Sequence, residues 1–361
     1  MRVQVLRNQD ALNFLDTAWP DLYRHDPAAT PFQAPAWLSG WAAGLPAEVT
    51  PVVLVAARGA GPVAALALTH RRPGDGPRDL RPLSAPHAEY LRVTGPEAEH
   101  PAVTTALEAG LNAIAGDTGH IAVTDLPATT GLGRHLTSSP SWNHTTTACA
   151  TVALPLGWAE MSRATRKTHK RRQRALDDLA AQGHQVVYHR SRTADELTTA
   201  YQALVHLHRL QRVDDARPGA EFALGGGTWR TVLDHCGPEI AFIATQCIDE
   251  TPIAAQLCLT RGARAYSLLT ARHPGYNDVS PGHALLRRLI QDLTDAGYTA
   301  LDLGRTLDTP GQSGYKSQYL AHWTHTLTAT RAAAIHSAAS IPAQRAHGGV
   351  TAAEPAVTTP S

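Results

Sequence analysis

The sequence predicts an α/β protein of two domains, each a mixed, mostly antiparallel sheet that is flanked by helices. The chain has 361 residues and 43% apolar content, which is more than one compact core usually needs. Strand-like runs alternate along it with amphipathic helical stretches. One stretch, GPVAALALTHR at residues 61–71, returns as TPIAAQLCLTR at residues 251–261. We therefore expect two similar domains.

The two similar stretches lie about 190 residues apart. Each follows a strand-like run, TPVVLVAARG in the first half and EIAFIATQCI in the second, so each predicts a β-hairpin. Further on, both halves have a helical stretch and then a short strand with an aspartate, HIAVTDL and YTALDLG. A period of this length indicates a domain duplication rather than a solenoid. The alternative is a chance match of a short Pro-Ala-Ala pattern.

The predicted domains are residues 1–150 and 151–335, followed by an Ala-, Pro- and Thr-rich tail at 336–361. A loop-forming cluster, TSSPSWNHTT, precedes the first boundary. The first domain is predicted to open with the helices ALNFLDTAWPDLYR and PAWLSGWAAGL. The second opens with a basic helix that ends near Gly183, the strand HQVVYHR, and a helix that begins with a Thr193–Glu196 capping box. AHWTHTLTAT is the last predicted strand.

Composition excludes several classes of protein. The net charge of +1 gives no overall attraction to nucleic acid, so any such binding needs a local patch. No segment has the pattern of a signal peptide or of a membrane span, and we expect a cytoplasmic protein. The cysteines have no metal-ligand or disulfide spacing, so we expect reduced thiols and no metal. They are Cys149, Cys236, Cys247 and Cys258.

A helix start near Ser280 is the first candidate site. Ser280 is a typical N-cap, Pro281 a typical first helical residue, and Gly282 leaves room for a ligand to approach the backbone. Free N–H groups at a helix start bind anions or polarised carbonyls. We predict donor binding by Ser280, Gly282, His283 and Ala284. An ordinary helix start is the alternative.

The basic helix, SRATRKTHKRRQRAL, is the second candidate site. Its cations have few acidic neighbours in sequence, and unpaired cations suit phosphate groups. Four of them, Arg163, Lys167, Lys170 and Arg174, share one helical stripe. The predicted donor-binding residues of this helix are Arg163, Lys167, Lys170, Arg171 and Arg174. The alternative is a solvated helix face.

From Ala150 to Ala332 the sequence resembles the GNAT superfamily. It is most similar to the branch that groups FemAB-type aminoacyl transferases with CelD/BioF2-like acetyltransferases. The resemblance lies in the basic helix, LHRLQR, PIAAQLCL, YSLLTARHPGYNDVSPGHALL, and LDLGR followed by Tyr315-Lys316. The N-terminal TPFQAPAWLSGW is also similar to the opening of that branch. The resemblance to this branch implies tandem GNAT-like domains. The first of these would be degenerate and would help to shape an acceptor cleft.

The resemblance also implies a donor. CoA-dependent members usually have Gln or Arg three residues before the glycine that Gly282 matches, and Val279 stands there in this chain. In FemAB-like proteins an aromatic–Lys pair lies beside the aminoacyl end of the donor, so Lys316 would polarise the acyl carbonyl or hold a phosphate, with Tyr315 next to it. Together with the basic helix, this favours aminoacyl-tRNA as co-substrate, with acetyl-CoA as the alternative. No tightly bound cofactor is expected.

No nucleophile motif such as G-x-S-x-G is present, which fits direct attack by a bound amine or hydroxyl. Such a reaction needs a proton acceptor. Asp302, His206, His283 and the substrate itself are the candidates. Asp302 ends an apolar strand, so we expect it to be partly buried, with Arg305 as its partner.

The predicted function is therefore acyl or aminoacyl transfer to an amine or hydroxyl of a small-molecule or cell-wall-type acceptor. A non-catalytic phosphate- or nucleic-acid-binding module and a degenerate scaffold are the alternatives. The sequence leaves the oligomeric state open.

Overall fold

The computed structural model describes residues 1–59, 61–71, 78–84, 87–115, 121–214, 227–306 and 310–331. The predicted tail at 336–361 lies outside these residues. The strands are β1 (Arg2–Arg7), β2 (Val49–Arg58), β3 (Gly61–Arg71), β4 (Arg78–Pro82), β5 (Ile121–Pro127), β6 (Asn143–Ala153), β7 (Val186–Arg190), β8 (Ala241–Ile248), β9 (Thr251–Arg261), β10 (Arg264–Arg272), β11 (Ala300–Thr306) and β12 (His322–Arg331).

The helices alternate with these strands. They are α1 (Asn8–Thr17), α2 (Trp19–Arg24), α3 (Pro35–Ala43), α4 (Pro101–Ala115), α5 (Gly131–Ser138), α6 (Arg163–Ala181), α7 (Ala194–Asp214), α8 (Gly227–Ile240), α9 (Pro281–Asp295) and α10 (Pro310–Ser317). None of those in the described parts of the chain combines the length and apolar character needed to cross a membrane.

The described strands form one sheet in the order β1-β2-β3-β4-β5-β12-β6-β11-β10-β9-β8-β7. The two halves of this sheet have the same pairing. β4 is parallel to β5 with Leu80 opposite Val123, and β10 is parallel to β11 with Tyr266 opposite Asp302. The β2–β3 and β8–β9 hairpins also each contain an irregularity at the same step. The shared order and register confirm the predicted fold of two similar α/β halves.

The last strand of each half is exchanged with the other half. β6 pairs with β11 of the second half, and β12 pairs with β5 of the first half and with β6. The predicted boundary near residue 150 therefore falls inside a strand. The Ser-Pro cluster does form a turn, which ends at Trp142. The threonines that follow it favour an extended chain, because β-branched side chains fit a sheet.

Helices cover both faces of the sheet. On one face, α1, α3, α7 and α8 share a single apolar core, which includes Trp37, Trp229 and Leu204. On the other face, α4 and α5 pack on the first half, and α9 packs on the second half. The interior strands are thus buried on both sides, which explains their continuous apolar sequences.

Two helix ends, the start of α7 and the end of α6, lie where the sequence signals predict them. Glu196 N–H donates to Thr193 Oγ1 at 3.2 Å, and Thr193 N–H donates to Glu196 Oε2 at 3.1 Å, which confirms the capping box. Gly183 follows α6 with a φ of 96°, the left-handed conformation that glycine adopts after a helix. The sequence analysis missed β1, β4 and β6, which are short or rich in polar residues.

The exchanged strands and the shared core predict that the two halves unfold together. Removing either half would leave the other without a central strand and with part of its apolar core exposed to water. We expect one calorimetric transition for the full chain, with equal calorimetric and van't Hoff enthalpies. Two resolved transitions would contradict this arrangement.

Candidate active site

The site begins where β10 and β11 separate. Their parallel pairing ends at Tyr266 and Asp302 among the described residues of the two strands. An irregularity follows in each strand, between Ser267 and Leu269 in β10 and between Asp302 and Arg305 in β11. Such irregularities bend a strand and interrupt its ladder. A gap therefore opens between the two strands beyond this pair.

A cleft of about 660 Å³ lies at the paired end of β10 and β11. The loop at residues 27–30 and Tyr90 bring the first half into its wall, and Thr151, Tyr266 and Asp302 come from the central strands. Its volume is in the range of small-molecule sites. The cleft is thus built by both halves, around the point where the strands part.

Asp302 is a buried carboxylate in the wall of this cleft, with 4% of its surface exposed. The Tyr90 hydroxyl lies 2.8 and 2.9 Å from its two oxygens, the Thr151 hydroxyl donates to it at 2.7 Å, and Gly304 N–H donates at 2.8 Å. Burial raises the pKa of Asp302, while these hydrogen bonds lower it in part. The carboxylate is therefore held rigidly and has an increased affinity for a proton.

Arg305, the partner expected for Asp302, takes another position. Its guanidinium donates to Asp125 of the first half at 2.8 Å. The expected pairing was wrong because the strand irregularity after Asp302 reorients the residues that follow it. Two partners of Asp302 are hydroxyl groups from distant parts of the chain, Tyr90 and Thr151, which local spacing does not reveal.

Tyr90 is held by the N-terminal TPFQAPAWLSGW motif. Gln33 Nε2 donates to the Tyr90 carbonyl at 2.6 Å. The Phe32 ring packs against both Tyr90 and Tyr266, with ring centroids 6.0 Å from each, and the two tyrosine rings lie 6.1 Å apart. This motif therefore positions the two tyrosines that line the cleft.

Two buried side chains, Glu89 and Lys316, lie against β11 at the gap beyond the cleft. Gly304 has a φ of 69°, and a Cβ at this position would collide with the Glu89 carboxylate. Lys316 Nζ donates to the Gly304 and Arg305 carbonyls at 2.9 and 2.6 Å. Glu89 and Lys316 are each 8% exposed. Lys316 thus satisfies carbonyl groups of a strand that has lost its neighbour.

Glu89 is the buried acid beside Lys316 that the sequence analysis missed. Its Oε2 atom is buried without a hydrogen-bond partner among the described residues. Burial raises the pKa of Glu89, the Asp302 carboxylate raises it further, and Arg305 and Lys316 lower it. Burial in turn lowers the pKa of Lys316, which Glu89 opposes. The two groups form a buried, mutually dependent pair.

The corresponding gap in the first half is filled by its own chain. Leu91 N–H donates to the Asp125 carbonyl of β5 at 2.8 Å, and Thr94 exchanges two backbone hydrogen bonds with Ala65 of β3, both 2.8 Å. Leu80 and Val123 stand where the second half has Tyr266 and Asp302. The same filling segment carries Glu89 and Tyr90, so the first half contributes these two side chains to the site of the second.

The start of α9 lies on the other face of the sheet. Ser280 is the N-cap, but it has a left-handed φ of 52° and makes no side-chain capping bond among the described residues. A side chain at Gly282 would meet no atom within 4 Å. The Tyr315 hydroxyl donates to the Gly282 carbonyl at 3.3 Å. The structure thus places Tyr315 against the predicted cradle, whose glycine faces open space.

At this helix start His283 is half-buried and Ala284 is buried. His283 Nδ1 lies 2.9 Å from the Tyr319 hydroxyl. Burial, together with the nearby Arg172, lowers the pKa of His283 to about 3, so its imidazole is neutral at physiological pH. Ala284 is buried in a small apolar cluster with Leu176 of α6. His283 is thus a weak candidate for a proton acceptor in this geometry.

The basic helix α6 packs with one face and exposes the other. His169 and Leu176 are buried, and the half-buried Arg172 donates to Gln318 at 2.8 Å. The five predicted donor-binding cations are all exposed, and none forms an ion pair within the described parts of the chain. They are Arg163, Lys167, Lys170, Arg171 and Arg174. The structure gathers them on one outer surface, apart from Ser280 and Gly282.

His206 is exposed on α7, outside the cleft and outside the cluster at the start of α9. Asp302 is thus the predicted proton acceptor that the structure places in the cleft. The sequence analysis missed Glu89, Tyr90, Thr151 and Tyr266. The one available signal was an acidic and aromatic pair inside the apolar stretch HAEYLRV. Among the described residues, no group of His, Cys, Asp or Glu has the geometry of a metal site.

Residues 163–317 match the family model described as Acetyltransferase (GNAT) domain. FemX has the same fold, with a TM-score of 0.60 at 10% identity over 92% of this chain and 98% of that one. A C-terminal domain described as that of a lysylphosphatidylglycerol synthetase from Agrobacterium fabrum gives 0.57 at 13% identity, over 89% and 92%. A tandem GNAT protein from the clavulanic acid biosynthesis pathway gives 0.52 at 14%, over 91% and 98%. No curated protein matches the sequence.

The close contact at Gly304 gives a stability prediction. Gly304→Ala places a Cβ on the Glu89 carboxylate and forces alanine into a left-handed conformation, so we expect a loss of about 2–4 kcal/mol in the free energy of unfolding. Gly282→Ala is the matched control, because its Cβ meets open space at a helix start. It should be neutral or add up to about 1 kcal/mol. Urea denaturation of both variants measures the difference, and equal stabilities would refute the contact.

Proposed function

From the GNAT acetyltransferase domain that residues 163–317 form, we propose that this protein is an acyltransferase with its reaction centre at Asp302. It moves an acyl or aminoacyl group from an activated donor to an amine or hydroxyl of a small-molecule or cell-wall-type acceptor. The observation that carries this proposal is the place of Asp302. Its buried carboxylate faces the cleft at the point where β10 and β11 open.

The acceptor occupies the cleft, and the donor reaches it through the gap between β10 and β11. The acceptor nitrogen or oxygen attacks the acyl carbon, a new amide or ester bond forms, and the bond from that carbon to the donor's oxygen or sulfur breaks. Asp302 takes the proton of the acceptor and returns it to the leaving group.

Aminoacyl-tRNA is the donor that we favour over acetyl-CoA. The exposed cations of α6 suit a nucleic-acid backbone, and Val279 replaces the polar residue expected for CoA binding. One protein of this fold is described as a lysylphosphatidylglycerol synthetase, a name that denotes transfer of a lysyl group. The start of α9 then holds the reactive end of the donor near Gly282. Both donors are cytoplasmic, and we place the protein there.

The same cations favour one other candidate, a phosphate- or nucleic-acid-binding module without catalysis. Such a module would bind tRNA and release it unchanged. Deacylation of a bound charged tRNA that depends on Asp302 separates the two candidates.

Asp302→Asn should reduce transfer by about 10²–10⁴-fold while the fold remains intact, because asparagine keeps the shape but cannot accept the proton. The readouts are release of thiol from acetyl-CoA and deacylation of charged tRNA in the presence of mixed amines. Asp16→Asn on the exposed face of α1 is the control. Normal transfer by Asp302→Asn would exclude this residue as the base.

The raised pKa of Asp302 predicts the pH profile. The ionised carboxylate is the active form, so kcat/KM should fall as the pH is lowered. Because the pKa of Asp302 is raised, this fall should begin at a higher pH than for an exposed aspartate. The profile of Asp302→Asn should lack this acidic limb. A wild-type profile that is flat down to the ordinary aspartate range would contradict the assignment.

Donor choice is tested by binding of acetyl-CoA and of a charged tRNA pool at two salt concentrations. The combined change Lys167→Gln, Lys170→Gln and Arg174→Gln should weaken tRNA binding and lower the slope of log K against log salt by about 2–3. CoA binding should be unchanged in this variant. Gly282→Leu should weaken binding of whichever donor is used. Binding of CoA without tRNA would make acetyl-CoA the donor.

A further inference from the structure

We propose that the acceptor carries a small anionic group, a carboxylate or a phosphate, beside the amine or hydroxyl that is acylated. This inference rests on the proposed acyltransferase function and specifies the acceptor of the same cleft. It follows from the charges on the described residues that line the cleft. Three are guanidinium groups, from Arg92, Arg261 and Arg264, and the only carboxylate among them is Asp302.

Asp302 offsets at most one of these three positive charges. Its oxygens already accept hydrogen bonds from Tyr90, Thr151 and the Gly304 N–H group. Its burial also disfavours the charged form of the carboxyl. The cleft is therefore electropositive when it holds no ligand. Clustered like charges in a concave wall repel one another, and a bound anion removes that repulsion.

Two of the arginines are held in place before a ligand binds. The Arg261 guanidinium donates to the Tyr23 and Asp26 carbonyls at 3.0 and 2.8 Å and lies 3.7 Å from the centre of the Tyr23 ring. Arg92 pairs with Glu99 at 3.3 Å through Nη2, and its side chain is 14% exposed. A fixed guanidinium loses little entropy when it binds an oxyanion through two parallel hydrogen bonds.

Arg92 also has an unused donor. Its Nε atom is buried and has no hydrogen-bond partner among the described residues. A buried N–H group without a partner is costly, because it has lost its hydration without replacement. An anionic oxygen from a ligand in the cleft would supply the missing acceptor.

Arg264 differs because it is exposed at the mouth of the cleft. Its guanidinium lies 5.9 Å from the centre of the Tyr266 ring. It is therefore accessible to a ligand that enters the cleft. Thr30, Thr129 and Thr324 add hydroxyl groups to the wall, which suits a polar acceptor whose size fits about 660 Å³.

The test uses three amines that differ only at one end, namely ethanolamine, β-alanine and O-phosphoethanolamine. Each is titrated into the full-length protein by calorimetry without a donor. We expect at least about tenfold tighter binding of one of the two anions than of ethanolamine. Tighter binding of O-phosphoethanolamine indicates a phosphate, and tighter binding of β-alanine indicates a carboxylate. Equal binding of all three, or no binding of either anion at millimolar concentration, would overturn the inference.

Substitutions of single residues test whether the anion binds in the cleft. Arg264→Ala should weaken the preferred anion by about tenfold or more, whereas Arg288→Ala, an exposed arginine on α9, should leave it unchanged. An unchanged affinity in Arg264→Ala would exclude this site. Asp302→Asn should keep or strengthen anion binding while it abolishes transfer. If the anions do not bind preferentially, the acyltransferase proposal is unaffected. If Asp302→Asn still transfers the acyl group but the anions bind as expected, the anion site is unaffected.

Discussion

The parting of β10 and β11 is the constraint on which the site depends. A sheet normally satisfies its backbone groups through neighbouring strands, and a gap within it leaves some of them without partners. In this protein the Lys316 ammonium bonds to two carbonyl groups of β11. The Glu89 carboxylate lies against Gly304, where no Cβ would fit. The gap is thus stabilised by buried side chains rather than closed by backbone.

The duplication explains why these side chains come from different halves. Both halves have the same parallel pairing, but the first half has closed its own gap with the segment that contains Leu91 and Thr94. That segment also carries Glu89 and Tyr90. The segment that closes the gap of the first half therefore supplies the tyrosine that hydrogen-bonds to Asp302 of the second. One site with parts from both copies is a physical reason for the two halves to remain together.

Electrostatics divide the molecule into three regions. The cleft is lined by three arginines and by one carboxylate, Asp302, whose pKa is raised. At the start of α9 the half-buried His283 is neutral at physiological pH, because its pKa is lowered to about 3. The outer face of α6 carries exposed cations. The reaction that we propose places the phosphate-rich donor on the last two regions and the anionic acceptor in the first.

The sequence by itself predicted most of the element types and the two similar halves, and it made Asp302, the Gly282 helix start and the Tyr315-Lys316 pair candidates for the site. These rest on local periodicity, capping signals and short motifs, which act within one element. Only the tertiary structure decided the exchange of β6 and β12, the partners of Asp302 and the role of Glu89. Tyr90 and Asp302 are 212 positions apart, and no local pattern encodes which distant hydroxyl a buried carboxylate meets. The outward direction of the α6 cations was decided in the same way, because the packing of Leu176 on its neighbours fixes which face of that helix meets water.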